Sequence, residues 1–349
     1  MTAISNENEI LNEREQSVLR HVVQNYIHTA TPVGSRFLSK RFDEELSPAT
    51  IRNVMYDLEE RGFLSHPHTS AGRVPTDNGY RYYVDFLMEI ERLTEKEMNR
   101  FQQAIRVSPD PDEILRETSK LLGKISNQLS VVTSPHLNSG ILEKLELIPV
   151  SISKLLVIIS IRSGLVRTIM LEIGIDLKRD VLDRVGSLLN ERLAGLTLKD
   201  IRDSFADRFR DLRNEQTGLI RMFIDSVDLL FDDSKEKEKF HLGGTKQIMD
   251  QPEFVDPKNF RSVIEMVENE DVIVHLLEKH DELARDFVIT IGAENNDANA
   301  QNYSFVTATY DVNGVQGRVG VIGPKRMNYS RLIPLVDHVA KTVARMLGG

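Results

Sequence analysis

The sequence contains no cysteine, so the chain cannot form disulfide bonds, thiolate metal sites or a thiol nucleophile. Long apolar segments are also missing. The longest apolar run, Leu155 to Ile161, is interrupted by Ser160 and is much shorter than a membrane-spanning helix. The first nine residues lack the basic start and apolar centre of a secretory signal. These absences favour a cytoplasmic protein that does not enter a membrane.

Motifs of common catalytic sites are absent as well. The sequence has no G-x-S-x-G, G-x-x-x-x-G-K, H-E-x-x-H or G-x-G-x-x-G. His66 and His68 lie close together, but no third or fourth ligand follows at a suitable spacing, which favours a structural role over a metal site. We therefore expect no enzyme activity, no metal site and no cofactor.

The chain is acidic overall, with a formal net charge of −9 over 349 residues. Its length predicts two or three domains. The net charge argues against a general nucleic-acid coat and against binding to anionic membranes. Residues 1–88 are not basic either, because they contain nine Lys and Arg against twelve Asp and Glu. Any binding to DNA should therefore be weak at random sequences and should depend on a matched, symmetric site.

Residues 47–62 carry the signals of one amphipathic helix. Ser47 can cap its first turn, Pro48 suits the first helical position, and Gly62 suits a left-handed stop. The apolar residues recur at i, i+3, i+4 and i+7 and predict a single buried stripe. They are Ile51, Val54, Met55 and Leu58.

The opposite face of this helix carries side chains that suit a DNA major groove. Arg pairs with guanine O6 and N7, Asn pairs with adenine N6 and N7, and small Ala or Thr groups contact thymine methyls. The residues on this face are Ala49, Thr50, Arg52, Asn53 and Tyr56. A merely solvated helix surface is the alternative interpretation.

The flanking segments complete the pattern of a winged helix-turn-helix. Leu11 to Thr29 reads as a helix, and Ser35 is expected to cap a short helix to about Phe42. Phe63 to Ser65 and Arg73 to Pro75 read as two short strands joined by turn residues. A helix, a short helix, the helix at 47–62 as the recognition helix, and a two-stranded wing follow one another, and this order is that of the winged variant of the motif.

These elements predict a set of DNA contacts. Arg73 is expected at the tip of the wing, where it would meet phosphate or the adjoining minor groove. Ser35 and Arg36 begin the short helix. The predicted DNA-binding residues are Ser35, Arg36, Ser47, Ala49, Thr50, Arg52, Asn53, Tyr56 and Arg73.

The rest of the chain contains two β-rich blocks that are separated by helices. The segment Ser108 to Pro111 contains two prolines, which prevent a continuous helix, and it separates this part from the N-terminal region. The predicted strands are 145–150, 154–162, 165–173, 287–293, 303–310 and 315–322, and a final helix spans about 330–347. This order predicts an α+β domain that is interrupted by an insertion.

Several segments closely resemble the HrcA family of heat-inducible transcription repressors. They include LSPATIRNVMYDLEERGFL, PHTSAGRVPTDNGYRYYVDFL, GGTKQIMDQPEF and GVIGPKRMNYSRLIPLVDHVA. The resemblance implies a multidomain α+β fold. We expect a winged helix-turn-helix domain at 1–92, a helical linker at 93–111, a GAF-like domain at 112–141 and 236–349, and an inserted dimerisation domain at 142–235.

The resemblance also implies a function. It predicts a repressor of chaperone operons that binds an inverted-repeat CIRCE operator in double-stranded DNA as a homodimer. Heat would relieve repression through loss of the active fold, and a GroEL-type chaperonin would help the protein to reach or keep that fold. The alternative is a regulator that is controlled by a small molecule bound in the GAF-like domain, which a ligand-dependent rise in melting temperature would reveal.

Overall fold

The computed structural model describes residues 11–41, 46–67, 72–104, 110–174, 178–212, 218–231, 240–268, 287–295 and 300–348, together with residues 273, 277 and 297. These residues form helices and three β-sheets of two, five and three strands. The mixed α+β class expected from the sequence is confirmed. No helix within the described ranges is both long and apolar enough to cross a membrane.

The N-terminal module, residues 11–94, begins with three helices that share one core. They are α1 (Glu13–Thr29), α2 (Ser35–Leu38) and α3 (Pro48–Glu60). Asn12 and Glu15 form a capping box at the start of α1, because each side chain accepts a hydrogen bond from the other residue's backbone N–H at 3.0 and 2.8 Å. Val18, Leu19 and Val22 of α1 are fully buried in this core.

A small antiparallel sheet follows α3. It consists of β1 (Leu64–Ser65) and β2 (Val74–Pro75). Arg73 and Val33 exchange two backbone hydrogen bonds of 2.9 Å, which fix the sheet to the loop before α2. Gly72 is required here, because a Cβ atom would lie 2.3 Å from the Val33 carbonyl oxygen.

The next helix differs from the prediction. The helical spacing of Tyr80, Tyr83, Val84, Leu87 and Ile90 predicts a helix from Thr76 to about Leu93 with these residues facing a core. In the structure, helix α4 (Asp77–Tyr82) passes into a π-helical turn at Tyr83–Leu87 and then ends. Ile90 was predicted to face the core but is 58% exposed. The prediction was wrong because Met88 is already extended, so the helical period no longer applies beyond it.

The remaining elements are listed here in chain order. The helices and strands up to the second sheet are α5 (Glu95–Ala104), α6 (Pro111–Ser126), β3 (Leu129–Thr133), β4 (Leu142–Ser151), β5 (Lys154–Ile161) and β6 (Val166–Glu172). Four helices follow, namely α7 (Arg179–Leu193), α8 (Leu198–Arg208), α9 (Leu219–Asp225) and α10 (Val227–Phe231). The last elements are β7 (Phe240–Gly243), α11 (Thr245–Met249), α12 (Pro257–Glu268), β8 (Phe287–Ile291), β9 (Tyr303–Val312), β10 (Val315–Pro324) and α13 (Tyr329–Gly348).

The five-stranded sheet is antiparallel throughout, with the order β7, β3, β10, β9, β8. Helices cover both faces. Val306 and Val319 contribute to the core beneath α6 and α13, whereas Phe305 and Ile322 face the core beneath α11 and α12. Successive strand residues point to opposite faces, and both faces of this sheet are therefore buried. We refer to this sheet and its four helices as the sheet domain.

Close backbone packing holds α6 against the sheet. A Cβ atom on Gly243 would lie 2.3 Å from the Ser119 carbonyl oxygen, and one on Gly123 would lie 2.5 Å from the Gly244 nitrogen. Gly244 also has a left-handed φ of 77°. These contacts explain the Gly-Gly-Thr motif as a packing feature of the sheet domain.

The inserted unit, residues 142–231, lies between β3 and β7, which are neighbours in the five-stranded sheet. Its sheet has the order β4, β5, β6. Inward residues such as Leu155, Val157 and Leu171 pack against helices α7 to α10 in a separate core. The side chain of Asn190 on α7 bonds both the N–H and the carbonyl of Leu145, each at 2.7 Å.

The outer face of this three-stranded sheet carries one apolar row among polar side chains such as Lys144 and Thr168. Ile148, Leu156 and Met170 lie side by side across the three strands. Ile148 is 43% exposed, Met170 is 46% exposed and Val166 is 57% exposed. Among the residues that the structure describes, helices therefore cover only one face of this sheet.

Candidate nucleic-acid interface

Helix α3 is held in place by its buried face and by both of its ends. The buried residues are the predicted stripe Ile51, Val54, Met55 and Leu58. The Ser47 hydroxyl accepts a hydrogen bond from the Thr50 N–H at 3.1 Å, and Pro48 occupies the first turn. Gly62 takes a left-handed φ of 78° and ends the helix, as the sequence predicted.

The opposite face of α3 projects into solvent. Ala49, Arg52, Asn53 and Tyr56 are exposed, and the Tyr56 side chain is 54% exposed. Thr50 is half-buried, and its hydroxyl lies 2.9 Å from that of Ser47. The structure therefore brings together four exposed side chains on one rigid surface, and their contact with DNA stays a prediction.

Helix α2 contributes less surface than the sequence suggested. Ser35 was expected to cap this helix, but Gly34 occupies the capping position and Ser35 is the first helical residue. The helix ends at Leu38 rather than near Phe42, which lies outside the described residues. Ser35 is buried, with 9% of its surface exposed, whereas Arg36 is exposed. Arg36 is thus the more accessible of the two predicted contacts.

Arg73 contacts helix α3. It directly precedes β2, on the loop side of the two-stranded sheet, and its guanidinium group pairs with the Glu59 carboxylate of α3 at 2.8 Å. His66 contacts both of these side chains. Only 15% of the Arg73 side chain is exposed. The ion pair directs the side chain toward α3, and the predicted position of Arg73 at the wing tip stays a prediction. Its contact with phosphate stays a prediction.

The charges near α3 are partly neutralised by such pairs. Arg73 neutralises Glu59, and Arg61 pairs with Glu15 of α1 at 3.0 Å. By contrast, Arg36 and Arg52 are exposed and form no ion pair with any residue that the structure describes. The exposed surface around α3 therefore carries positive charges that are unpaired among the described residues, although the region as a whole is acidic.

Residues that could hold a metal ion do not cluster here. Among the described residues there is no group of three or more histidine, aspartate or glutamate side chains in a suitable arrangement. His66 is engaged with Glu59 and Arg73, and His68 lies outside the described residues.

Sequence reasoning missed the contacts that fix the N-terminal module to the sheet domain. The Arg326 guanidinium donates to the Ile27 carbonyl at the end of α1 at 3.0 Å and to the Gln251 side chain at 2.9 Å. It also forms a bidentate pair with Glu253. Only 11% of the Arg326 side chain is exposed. These contacts tie one end of α1 to the sheet domain.

A second group of contacts lies beside α4. Asp77 accepts hydrogen bonds from Lys325 at 2.7 Å and from the Ala293 N–H at 3.0 Å. Arg81 pairs with Glu294 at 2.5 Å and donates to the Ile289 carbonyl at 2.9 Å. The N-terminal module is therefore held at two of its helices, through a backbone carbonyl of α1 and charged side chains of α4.

Comparison with known proteins places the chain in a family. Residues 112–333 match the family model described as HrcA protein C terminal domain. The chain belongs to the HrcA family. It is 43% identical over 347 residues to the heat-inducible transcription repressor HrcA of Chlorobium phaeobacteroides strain BS1. The aligned region covers 97% of this chain and 98% of that protein.

Other relatives agree with this assignment. The heat-inducible transcription repressor HrcA of Prosthecochloris aestuarii is 42% identical over 340 residues, covering 95% of this chain and 96% of that protein. A crystal structure of a hypothetical protein superimposes with a TM-score of 0.58 at 22% identity, covering 97% of this chain and 99% of that chain. That likeness shows a shared fold.

Proposed function

We propose that this HrcA-family chain represses transcription by binding double-stranded DNA through the exposed face of α3. The observation that carries this proposal is the division of α3 into a buried apolar face and an exposed face with Arg52, Asn53 and Tyr56. A capped, tightly packed helix presents these side chains without a further loss of conformational freedom. Arginine and asparagine are the side chains that read guanine and adenine edges in the major groove.

The arrangement of the module supports a winged helix-turn-helix. Helices α1, α2 and α3 are followed by the two-stranded sheet in the order that this motif requires. In the proposed division, residues 1–92 are the DNA-binding domain, 93–111 the linker, 112–141 and 236–349 the GAF-like domain, and 142–235 the inserted domain. Residues Ser35, Arg36, Ser47, Ala49, Thr50, Arg52, Asn53, Tyr56 and Arg73 are the proposed DNA contacts.

The protein would act as a homodimer on an inverted-repeat CIRCE operator. The exposed apolar row Ile148, Leu156 and Met170 on β4, β5 and β6 is the proposed centre of the dimer surface, because an exposed apolar patch with a polar rim is typical of protein–protein interfaces. A twofold axis through this surface would present two copies of α3 to two half-sites. Half-sites separated by whole turns of the duplex then lie on the same side of the DNA.

Relief of repression by heat follows from limited stability. A folded dimer is favoured by only a small free energy, so warming reduces the population that binds the operator. A GroEL-type chaperonin would restore the active fold from chains whose apolar sheet face is uncovered. We place this activity in the cytoplasm, and it requires no enzyme activity and no cofactor.

The decisive experiment measures binding of the full chain to an inverted-repeat operator by fluorescence anisotropy. Arg52→Ala and Asn53→Ala should each weaken binding by about 1–3 kcal/mol and should relax the preference for particular bases. Arg184→Ala is the matched control, because Arg184 is 73% exposed on α7, outside the proposed DNA surface.

Two results would contradict the proposal. One is an absence of operator binding with and without added chaperonin. The other is an Arg52→Ala variant that binds as tightly and as selectively as the unaltered chain, which would leave the α3 face as an ordinary solvated surface.

A further inference from the structure

A cleft of about 230 Å³ lies where the N-terminal module meets the sheet domain. The module contributes Tyr26 of α1 and Tyr80 of α4 to its lining. The sheet domain contributes residues that follow β7 and β10, including Phe254, Lys325 and Arg326. Any molecule in this cleft would therefore contact both parts of the protein at once.

The walls of the cleft are rich in aromatic rings. Phe254 and Tyr303 are stacked, with ring centroids 6.2 Å apart and an interplanar angle of 12°. Tyr26 and Tyr80 line the side that belongs to the module. Flat aromatic walls favour a planar ring as ligand, because offset stacking adds to the burial of apolar surface. The volume lies below the ~300–1,000 Å³ of pockets for drug-sized ligands and suits a molecule with one ring.

The hydroxyl group of Tyr80 is buried and lacks a hydrogen-bond partner among the described residues. Burial raises its pKa well above the ordinary value, and the nearby Tyr329, Tyr26 and Glu253 add to the shift. The phenol therefore stays protonated and can donate. A buried polar group without a partner is unfavourable, and such groups often mark a site for a ligand or an ordered water.

The neighbouring Tyr329 shows how this fold ordinarily satisfies a buried phenol. The two rings lie 6.3 Å apart. The Tyr329 hydroxyl makes hydrogen bonds to the Ser304 hydroxyl at 2.8 Å and to the Lys325 carbonyl at 2.6 Å. Tyr80 has no equivalent partners among the described residues, although it is buried to nearly the same extent.

The cleft offers hydrogen-bond donors that a ligand could use. The Glu253 carboxylate is already occupied by Arg326 through both of its oxygens. The Lys325 ammonium group has three donors, and within the described residues its contact is the 2.7 Å bond to Asp77. A ligand that fits these donors must therefore supply acceptors, and a negative charge would suit the ammonium group.

We propose that the cleft binds a single-ring aromatic carboxylate. The ring would lie against the aromatic walls, and the carboxylate would accept hydrogen bonds from the Tyr80 hydroxyl and the Lys325 ammonium group. Because the ligand would touch α1, α4 and the sheet domain together, binding would fix the orientation of the N-terminal module. The binding step itself does not depend on the proposed operator recognition.

Thermal unfolding and calorimetry of the full chain test the site with benzoate and its hydroxy- and amino-substituted forms. Cyclohexanecarboxylate is the matched control without an aromatic ring, and benzamide is the matched control without a charge. A ligand that prefers the folded state raises the midpoint as its concentration rises. We expect this rise with at least one aromatic carboxylate and a smaller one with either control compound. Equal shifts with all compounds, or no shift at all, would overturn the proposal.

Two tyrosine variants test whether the unpartnered hydroxyl is part of the site. Tyr80→Phe should leave the midpoint of the ligand-free protein unchanged or raise it, and should weaken ligand binding about 3- to 10-fold. Tyr329→Phe should lower the midpoint of the ligand-free protein, because it removes satisfied hydrogen bonds. A Tyr80→Phe variant that is destabilised like Tyr329→Phe, or that binds the ligand as tightly as the unaltered chain, would overturn the assignment.

The Arg52→Ala variant separates this proposal from the proposed DNA-binding function. If the cleft binds the ligand, calorimetry on Arg52→Ala should give the same ligand affinity as on the unaltered chain, whether or not the operator is bound. A loss of ligand binding in Arg52→Ala would contradict a site at the cleft.

Discussion

The two larger sheets of this protein use apolar residues in opposite ways. The five-stranded sheet is covered on both faces by helices, and residues such as Phe305 and Val319 are completely buried. The three-stranded sheet of the inserted unit is covered on one face, while Val166 and Met170 remain exposed on the other. Buried residues of the first sheet should therefore control folding, and exposed residues of the second should control association.

The largest expected effect is on stability, and it comes from removing an aromatic side chain from the five-stranded sheet. Phe305→Ala should lower the free energy of unfolding by about 3–5 kcal/mol, because it leaves a cavity between β9 and the helices α11 and α12. Met170→Ala, at a dilution where the chain is monomeric, should change it by less than about 0.5 kcal/mol. Urea unfolding followed by circular dichroism measures both values. Equal losses would mean that the outer face of the three-stranded sheet is already covered in the monomer.

A charge on the exposed face should separate association from folding. Met170→Glu would place a carboxylate in the proposed dimer surface and should weaken dimerisation by about 2–5 kcal/mol, because the charge would be buried without a partner. Sedimentation velocity over a range of protein concentrations measures this shift.

The control for Met170→Glu is Arg184→Glu on α7, the side of the inserted unit that faces away from the exposed sheet surface. It changes the charge in the same direction at a side chain that is 73% exposed. If Met170→Glu and Arg184→Glu weaken dimerisation equally, the dimer surface does not include Met170.

The smallest expected effect concerns α5, whose Glu97 pairs with Arg331 of α13 on the covered sheet's helical layer. Hydrogen bonds from the Thr94 backbone and side chain, followed by Arg331, lower the pKa of Glu97 from 4.5 to about 2. A carboxylate whose pKa is lower in the folded chain stabilises it above the ordinary pKa, and this contribution disappears as the pH falls toward the folded value. Glu97→Gln should therefore weaken the attachment of α5 at neutral pH.

The difference between Glu97→Gln and the unaltered chain should shrink as the pH falls from about 4.5 to about 2. Amide hydrogen exchange in α5 measures it. Glu117→Gln is the matched control, because Glu117 pairs with Lys120 on the same helix and is remote from α5 in sequence. A difference between Glu97→Gln and the unaltered chain that persists at pH 2 would show that the Thr94 and Arg331 contacts do not depend on the carboxylate charge.

Local patterns in the sequence predicted much of this architecture. The stripe from Ile51 to Leu58 and the cap at Ser47 identified α3 to within one residue at its end. The Asn-Gly pair at Asn313-Gly314 predicts a hairpin between the last two strands, which the pairing of β9 and β10 and the left-handed φ values of 52° and 90° confirm. These features depend on neighbours within a few positions, and sequence spacing records such neighbours directly.

Contacts over long separations could not be predicted in the same way. Arg326 bonds the Ile27 carbonyl across 299 positions, and nothing in the spacing of either segment indicates that pairing. Arg73 pairs with Glu59 on a different element, and sequence spacing does not indicate that ion pair either. Ile90 was assigned to a core because a helical period was extended beyond the π-helical turn that ends it.

The position of the inserted unit has a consequence for how such a chain can be rebuilt. Thr133 at the end of β3 stands directly opposite Phe240 at the start of β7. A tight turn joining these two residues would complete an ordinary hairpin and would leave every hydrogen bond between the five strands intact. Between Thr133 and Phe240 the fold accommodates the whole inserted unit. Removing or exchanging that unit could therefore produce shortened or recombined regulators that keep the five-stranded sheet.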